Sequence, residues 1–549
     1  MSKKYRIIKS LLAVVLVVAF MSQIVACSSQ KATSDTAAST VSAASTASAA
    51  VSTEPAPKDY STHLKISWAV FGDQQKDINK DDFAKTWGDR FNLEWDMIAV
   101  PYDQWNEKIR IWVNSQDLPD VAQWEYNHVD GSIYAEQGLL KKLPDDWESN
   151  WPNAAKAYEN TGIGPMLDDV FGGTYYLPRP IFFTNKPVET LVDNQGIYMR
   201  KDWLKAVGAE IKPYYTSEEI LDIARLIKQK DPGHVGSKLA PMGGGVNELP
   251  WYFIYPQSTY SSNTAEYYQD ANGNFQWGPA APETLTGLKY YQQAYDEGLL
   301  TPEFYVQGIN HQENFYTAGI SAMCEGDAMA QVALRFADNF KTNLVVNPEE
   351  WLQYAFCIGD DGKYHSPEYN NYWGALIFST KLSTEKFERV MDVIDYSCTD
   401  QGQNEIRMGI EGTDWKLDDQ GKLQNLMKPG ETAVTKYESI RPFYHNLYIL
   451  SDDFGLVNPT YPQEYRDMAK NTYLTKYSLT GNGSLGKTNW NAFFFDSDAR
   501  HRANFNLPEE YAQLVVAKGN MEDKWKTWVA KEMKVVQPVL DEMNAKLKK

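Results

Sequence analysis

The chain has 549 residues and a formal net charge of -19, with 43% hydrophobic, 13% aromatic and 23% charged residues. At a typical domain size of roughly 150 residues, this length predicts two to four structural units. The negative charge repels phosphate backbones and anionic bilayers, which excludes nucleic acid as a partner and a basic membrane-surface role. Only one long apolar run is present, which excludes a polytopic membrane protein, and 17 Trp with 34 Tyr exclude global disorder.

The first 26 residues have the pattern of a secretory signal. Four basic side chains within residues 3–9 precede an apolar run at residues 11–21, which is too short to span a bilayer as a mature helix. Residues 24–27, Ile-Val-Ala-Cys, resemble the bacterial lipobox, in which the cysteine becomes the lipid-modified first residue. An ordinary secretory signal followed by a chance cysteine at Cys27 is the alternative.

Residues 28–58 consist largely of Ser, Thr, Ala and Pro. A segment with so little apolar surface to bury is predicted to be a flexible tether. The lipobox resemblance therefore implies a signal peptide at residues 1–26, a lipidated, palmitate-type anchor and tether at residues 27–59, and a globular body from residue 60. It also implies a location on the extracellular face of the cell membrane, as in Gram-positive bacteria, with bilayer contact through the anchor alone.

Helix and strand patterns alternate through the body. Apolar residues alternate with period two at 64–70, which predicts a strand, and a helix at 81–91 and a second strand at 93–100 follow. A helix is predicted at 102–114, and a short buried strand at 118–122. Strands that feed helices in this order favour an α/β fold with partly parallel sheets.

Three later signals mark element ends. Thr216 or Ser217 followed by Glu219 predicts a capped helix start. Residues 270–274 predict a hairpin turn, and the helix at 282–297 is predicted to end at Gly298. The cysteines of the body are three in number and widely spaced, so they form no disulfide framework and are interpreted as buried small hydrophobes: Cys324, Cys357 and Cys398. A single pair oxidised outside the cell is the alternative.

Five segments resemble extracellular solute-binding proteins of carbohydrate ABC transporters, in particular the large lipoprotein branch of Gram-positive bacteria. The sharpest match is Ile-Tyr-Met-Arg-Lys-Asp-Trp-Leu at residues 197–204. The other matches are KIRIWVNSQDLPDV at 108–121, GGTYYLP at 172–178, YYQQAYDEGLLTPEF at 290–304 and GIEGTDW at 409–415. The resemblance runs from about residue 62 to residue 505 in the expected order, and the end of the chain, residues 521–549, fits it less well.

The resemblance implies an α/β, two-lobed periplasmic-binding-protein-like fold of type II, with a ligand cleft between lobes joined by crossover hinge strands. Residues 60–178 with 318–372 are assigned to the N-terminal lobe, and residues 179–317 with 373–549 to the C-terminal lobe. The implied protein captures an oligosaccharide and delivers it to ABC-transporter permease subunits as a monomer, without catalysis, cofactor or metal. The abundant aromatic residues suit a sugar independently, since an indole can cover the apolar face of the ring while polar side chains bind its hydroxyls.

Cleft residues follow from the resemblance and from the rule that strand-end loops line the crevice of open α/β sheets. For any one of these aromatics, core packing is an equally good interpretation. Trp124 and Trp373 are the preferred sugar walls, because each stands among polar neighbours in a strand-end loop. The predicted ligand-binding residues are Trp68, Asp73, Trp124, Glu125, Arg179, Trp251, Tyr255, Glu325 and Trp373.

Other motifs carry less weight. Residues 481–488 match the phosphate-loop pattern G-x-x-x-x-G-K-[ST], but neither a buried strand before them nor a helix after them is predicted. Residues 231–238 correspond to an EF-hand-like calcium loop of some relatives and lack its later carboxylates. A secreted acidic glycoside hydrolase or polysaccharide-degrading lipoprotein remains the alternative function, because a single sequence cannot show whether two carboxyls face each other across a bond.

Overall fold

The computed structural model describes residues 58–547 except 73–76, 102–103, 125–127, 184–185, 263–264, 302, 308, 342–346, 441–442, 444–446, 448–454 and 481–487. Strands and helices alternate along this part of the chain, as the sequence predicts. None of its helices combines the length and the apolar character needed to cross a bilayer.

The strands of the described residues are β1 Leu64–Phe71, β2 Leu93–Val100, β3 Val121–Trp124, β4 Leu177–Pro178, β5 Gln195–Arg200, β6 Tyr214–Thr216, β7 Met242–Gly243, β8 Tyr267–Gln269, β9 Phe275–Trp277, β10 Met323–Asp327, β11 Leu352–Ile358, β12 Ala375–Phe378, β13 Trp415–Leu417 and β14 Leu423–Asn425. The α-helices are α1 Asp82–Phe91, α2 Trp105–Asn114, α3 His128–Glu136, α4 Trp147–Asn150, α5 Pro152–Asn160, α6 Gly164–Phe171, α7 Lys201–Val207, α8 Ser217–Lys230, α9 Pro250–Phe253, α10 Pro282–Asp296, α11 Ile309–Thr317, α12 Ala330–Phe340, α13 Pro348–Trp351, α14 Thr384–Ser397, α15 Asp400–Met408, α16 Ala433–Lys436, α17 Gln463–Ser478, α18 Trp490–Phe493, α19 Asp498–Arg502, α20 Leu507–Val516 and α21 Met521–Lys546.

The first sheet has the strand order β2-β1-β3-β12-β4. β1 and β2 pair in parallel along their whole length. Along β1, Ile66, Trp68 and Val70 enter one hydrophobic core, and Ala69 enters the core on the opposite face of the sheet. Successive side chains of a strand point to opposite faces, so this alternation is the pattern that predicted the strand, and the prediction is confirmed.

The second sheet has the order β6-β11-β5-β10-β7, with β5 antiparallel to both of its neighbours. Met199 enters the core on one face and Tyr198 the core on the other. α8 begins with a capping box, in which Thr216 and Glu219 each accept a hydrogen bond from the other's backbone amide. The predicted cap is confirmed, and so is the burial of the three cysteines, which are free.

The strand pairing corrects part of the predicted lobe assignment. β10 and β11 lie within residues 318–372, which were assigned to the N-terminal lobe, yet both pair with β5 in the second sheet. β12 lies within residues 373–549, assigned to the C-terminal lobe, yet it pairs with β3 in the first sheet. A strand that follows a crossover can pair with either sheet and keep the same alternation of side chains. Its sequence alone therefore does not identify the sheet that it joins. The other lobe boundaries stay predictions.

Two antiparallel segments, residues 177–200 and 352–378, connect the sheets, and we call them the crossover ribbon. At one end β4 pairs with β12, and at the other β5 pairs with β11. Next to the first sheet, the amide of Trp373 donates to the Arg179 carbonyl at 3.0 Å, and the Arg179 amide donates to the Gly374 carbonyl at 3.0 Å. The two segments therefore support each other where they leave the sheet.

A buried ion pair joins the crossover ribbon to α17. The Lys476 ammonium donates to Asp193 Oδ1 at 2.9 Å, and the Tyr364 hydroxyl donates to Asp193 Oδ2 at 2.5 Å. Burial alone would raise the pKa of Asp193, but the Lys476 charge and the Tyr364 hydroxyl outweigh it and hold this pKa below its ordinary value. Lys476 also donates to the carbonyl of Gln195, so one ammonium binds three acceptors of the first ribbon segment.

We expect Lys476→Ala to lower the free energy of unfolding by about 3–5 kcal/mol, because it leaves Asp193 buried without its ion-pair partner. Urea unfolding followed by tryptophan fluorescence measures the change. The matched control is Lys470→Ala, which removes an exposed lysine from the same helix and should change stability by less than about 0.5 kcal/mol. Equal stability of the two variants would contradict the role given to Lys476.

Candidate ligand-binding site

Both sheets direct strand ends toward the crossover ribbon. β3 ends at Trp124, which stands opposite Ala375, the first residue of β12. In the second sheet, β10 ends at Asp327, which stands opposite Gln195, the first residue of β5. Ligands of open α/β sheets bind in the crevice beyond the carboxyl ends of the strands. The candidate site is therefore the crevice where the ribbon enters the two sheets.

Two of the predicted tryptophans lie in the core. Trp68 is 1% exposed and packs in the first-sheet core, and Trp124 is 5% exposed. The Trp124 ring lies 4.6 Å from the Tyr176 ring and 6.5 Å from the Phe494 ring, centroid to centroid. The structure places both indoles inside the hydrophobic core rather than on an exposed wall, and direct contact with a ligand stays a prediction for them.

Trp373 differs, because its side chain is only half-buried. Its ring lies 5.7 Å from the half-buried Phe71 ring at the end of β1, with an angle of 31° between the planes. The guanidinium carbon of Arg179 lies 5.6 Å from the same indole. Trp373 and Phe71 thus form an aromatic surface at the first-sheet end of the crevice.

Arg179 itself is fully buried and binds protein groups. Its Nε donates to the Leu447 carbonyl at 2.7 Å, and its Nη1 donates to Gln123 Oε1. These bonds fix the end of β3 to the crossover ribbon. We interpret Arg179 as a residue that positions the aromatic surface, while its predicted contact with ligand remains untested.

The second-sheet end carries another aromatic pair. Trp251 in α9 and Tyr255 just after it are both half-buried, and their ring centroids lie 4.8 Å apart at 81°. Burial raises the pKa of the Tyr255 phenol, and the nearby carboxyls of Glu248 and Glu325 raise it further. The predicted residues Trp251, Tyr255 and Glu325 therefore lie near one another.

Four polar side chains complete this end, and we call them the acidic end: Glu248, Gln312, Glu325 and Asp327. Burial raises the pKa of Glu325 well above its ordinary value, and the carboxyls of Asp327 and Glu248 add to the effect. Burial also raises the pKa of Asp327, to about 6. Gln312 Nε2 lies 3.5 Å from Glu325 Oε2. An additional negative charge beside these carboxyls is therefore disfavoured, because it would raise their pKa values further.

Sequence reasoning missed Glu248 and Gln312. The sequence does contain a signal for Glu248: three consecutive glycines at residues 243–245 precede it, and they mark a loop in which a side chain can approach the backbone closely. The Gly245 amide donates to Glu248 Oε2 at 2.8 Å, and a Cβ on Gly245 would lie only 2.9 Å from that oxygen. The glycine therefore lets the carboxylate fold back over the strand-end loop. Gln312 lies in α11 and has no comparable local signal.

Several predictions fall outside the described residues. These are the ligand-binding residues Asp73 and Glu125, the lipidation site Cys27 and residues 481–487 of the phosphate-loop pattern. The elements around that pattern are described: α17 precedes it, and the four-residue α18 follows it. A helix before the loop differs from the strand that a phosphate-binding loop requires, which supports the dismissal of nucleotide binding.

Within the described residues, no group of three His, Cys, Asp or Glu side chains is arranged to hold a metal ion. In the segment that corresponds to the calcium loop of some relatives, the Asp231 carboxylate accepts from the amides of Val235 and Gly236, each at 2.8 Å. Backbone amides therefore occupy both of its oxygens.

Two curated proteins of Bacillus subtilis (strain 168) are similar in sequence. The polygalacturonan/rhamnogalacturonan-binding protein YtcQ is 21% identical over 64% of this chain and 66% of its own length. Lipoprotein LipO is 24% identical over 45% of this chain and 48% of its own length. The chain thus matches just under two thirds of the first relative and about half of the second.

Solved structures show the fold. An alginate-binding protein solved without calcium ion has a TM-score of 0.60 at 16% identity, covering 88% of this chain and 97% of that one. The Streptococcus pneumoniae ABC-transporter substrate-binding protein FusA in complex with kestose has a TM-score of 0.61 at 16% identity, covering 87% and 97%. The predicted α/β, two-lobed fold is confirmed.

The model of the family described as "Bacterial extracellular solute-binding protein" matches residues 76–381, which is more than half of the chain. This match confirms the prediction of a solute-binding protein. With the fold already established, the chain belongs to the bacterial extracellular solute-binding proteins.

Proposed function

We propose that the protein is a lipid-anchored extracellular receptor that captures an oligosaccharide in the crevice and delivers it to ABC-transporter permeases. The observation that carries this proposal is an aromatic pair at each end of the crevice, with carboxyl and amide groups beside the second pair. Trp373 with Phe71 lies at one end, and Trp251 with Tyr255 lies beside the acidic end at the other. A sugar ring offers an apolar C–H face to such aromatics and hydroxyls to such carboxyls and amides.

The similar proteins support a carbohydrate ligand without fixing which one. Their names and complexes refer to polygalacturonan and rhamnogalacturonan, to alginate and to kestose. Those saccharides differ in charge, so the charge of this protein's ligand has to be inferred from the residues that line its own site.

The crossover ribbon supplies a route to closure. Between its two paired ends, the Asn371 amide group exchanges hydrogen bonds of 2.7 and 2.6 Å with the backbone of Phe182, and the Tyr369 amide donates to the Leu191 carbonyl at 2.9 Å. Hinges of binding proteins are short segments that absorb backbone rotation while the lobes stay rigid. We propose that closure over the ligand bends the ribbon here and creates the surface that a permease recognises, with the protein acting as a monomer.

The anchor is proposed from the sequence alone. The basic and apolar leader at residues 1–26 directs export. A lipid on Cys27, followed by the Ser/Thr/Ala-rich tether, is suited to hold the body at the outer surface of the cell membrane while leaving it free to rotate. The similarity to a protein named lipoprotein supports this location. No cofactor takes part in the proposed function.

The first prediction for this function compares two indoles. Trp373→Ala should remove on the order of 100 Å² of apolar contact with the sugar, or about 2.5 kcal/mol, which weakens Kd by roughly sixtyfold. Its apo melting temperature should change little, because the side chain is half-buried. Trp124→Ala, the matched buried indole, should instead lower stability by about 3–5 kcal/mol.

Calorimetric titration with the strongest oligosaccharide from a glycan array, alongside apo melting curves, separates these effects. Unchanged affinity in a folded Trp373→Ala protein would show that the aromatic surface at the first-sheet end does not contact the ligand.

A second prediction concerns turnover. The best-binding oligosaccharide should be recovered intact by mass spectrometry after prolonged incubation with a stoichiometric amount of protein, because a solute-binding protein releases what it captures. Shorter products or unsaturated ends that accumulate in proportion to protein concentration would point to the hydrolase alternative.

A third prediction concerns Cys27. In a Gram-positive host, Cys27→Ser should abolish incorporation of labelled palmitate and release the protein from the membrane fraction into the medium, because one lipidation site supplies the whole anchor. Cys324→Ser serves as the control, since that thiol is buried in the body and should leave labelling unchanged. Retention of the Cys27→Ser protein in the membrane fraction would contradict the anchor assignment.

A further inference from the structure

The acidic end brings several hydrogen-bond acceptors close together. Glu248 is 4% exposed and follows the end of β7 by five residues, and Glu325 is 7% exposed and lies within β10, two residues before its end at Asp327. Asp327 follows Glu325 by two residues, and its Oδ1 accepts from Gln195 Nε2 at 2.5 Å. The carboxyls lie close enough that Asp327 and Glu248 both raise the pKa of Glu325.

Gln312 supplies an independent indication that a ligand group belongs here. The side chain is 3% exposed, and its Nε2 points at Glu325. Its Oε1 is buried and has no hydrogen-bond partner among the described residues. A buried amide oxygen without a partner destabilises the protein, so this acceptor is suited to receive a donor from outside the chain.

The cations that face the acidic end are engaged by other carboxylates. Arg335 in α12 pairs with Glu313 at 2.5 Å, and Lys476 in α17 pairs with Asp193 at 2.9 Å. Both lie near enough to act on the acidic end: Arg335 opposes the rise that burial causes in the pKa of Asp327, and the carboxyls of Asp327 and Glu325 oppose the fall that burial causes in the pKa of Lys476. The charges of Arg335 and Lys476 are therefore each paired with a carboxylate outside the acidic end.

We propose, on the basis of the proposed function, that the acidic end binds sugar substituents that donate hydrogen bonds, either hydroxyl or amino groups, and rejects uronic acids. A hydroxyl can donate to Gln312 Oε1 or to a carboxyl of Glu248, and an ammonium can pair with that carboxyl or lie against the Tyr255 ring. A uronate carboxylate only accepts hydrogen bonds and adds a like charge. Specificity here arises from repulsion as much as from attraction.

The experiment starts from an array of cello-, manno-, xylo- and chito-oligosaccharides together with oligogalacturonates and alginate oligomers. The strongest binder is then compared by calorimetry with its own charge-altered form: a neutral binder after oxidation of its C6 hydroxyls to carboxylates, or a uronate binder after methyl esterification. We expect the strongest binder to be non-acidic, and its oxidised form to bind at least tenfold more weakly at pH 7.

A variant tests the cause of the discrimination. Glu248→Gln keeps the shape of the side chain and an acceptor for the Gly245 amide while removing one negative charge, so it should reduce the tenfold difference at least threefold. Glu509→Gln removes the same charge from the exposed side of α20 and should leave the difference unchanged.

Each outcome decides the inference. A uronate as the strongest binder, or an oxidised form that binds as tightly as its parent, overturns the charge selection and leaves the proposed function intact. A difference that survives Glu248→Gln undiminished overturns the role of the acidic end. Binding of no saccharide on the array overturns the proposed function and this inference with it.

Discussion

The arrangement of the two sheets depends on one buried ion pair, Lys476 with Asp193. A charged pair taken out of water is tolerated only where its geometry is fixed and its remaining bonding capacity is used. Here the ammonium binds Asp193 Oδ1, the Asp193 carbonyl and the Gln195 carbonyl, while the Tyr364 hydroxyl takes the second carboxylate oxygen. Both segments of the crossover ribbon and α17 are therefore joined at one point, and the second sheet begins at that point with β5.

The buried ion pair is also connected to the candidate ligand site. Gln195 connects the two, because its carbonyl accepts a hydrogen bond from Lys476 and its side chain donates one to Asp327. A rotation of the ribbon that moves Gln195 therefore acts on the acidic end directly. The first-sheet end is connected in a similar way, since Arg179 holds the ribbon to the end of β3 through Gln123. Each end of the crevice is thus connected to a ribbon residue by a side-chain hydrogen bond.

The sequence predicts the parts of this fold that depend on local patterns. The alternation along β1, the cap at Thr216 and the turn at residues 270–274 all follow from neighbouring residues, and all are present. The partner sheet of β10, β11 and β12 was predicted wrongly, since it depends on contacts between residues far apart in the chain. For the site, the sequence identified strand-end aromatics but could not separate the buried Trp124 from the half-buried Trp373, because burial at a strand end is decided by what packs over it.

The polar groups of the acidic end are hard to explain as groups that stabilise the fold. Buried carboxyls with raised pKa values and an amide oxygen without a described partner reduce stability, and an apolar substitution there would be expected to increase it. Lys476 and Asp193 show that the protein does satisfy buried charges where it needs them for the fold. Glu325 and Gln312 instead form only one long contact, 3.5 Å between Gln312 Nε2 and Glu325 Oε2, two residues before the end of β10. Departures from good packing concentrate at functional sites, so we interpret this unmet bonding capacity as the part of the structure that a donor-rich ligand completes.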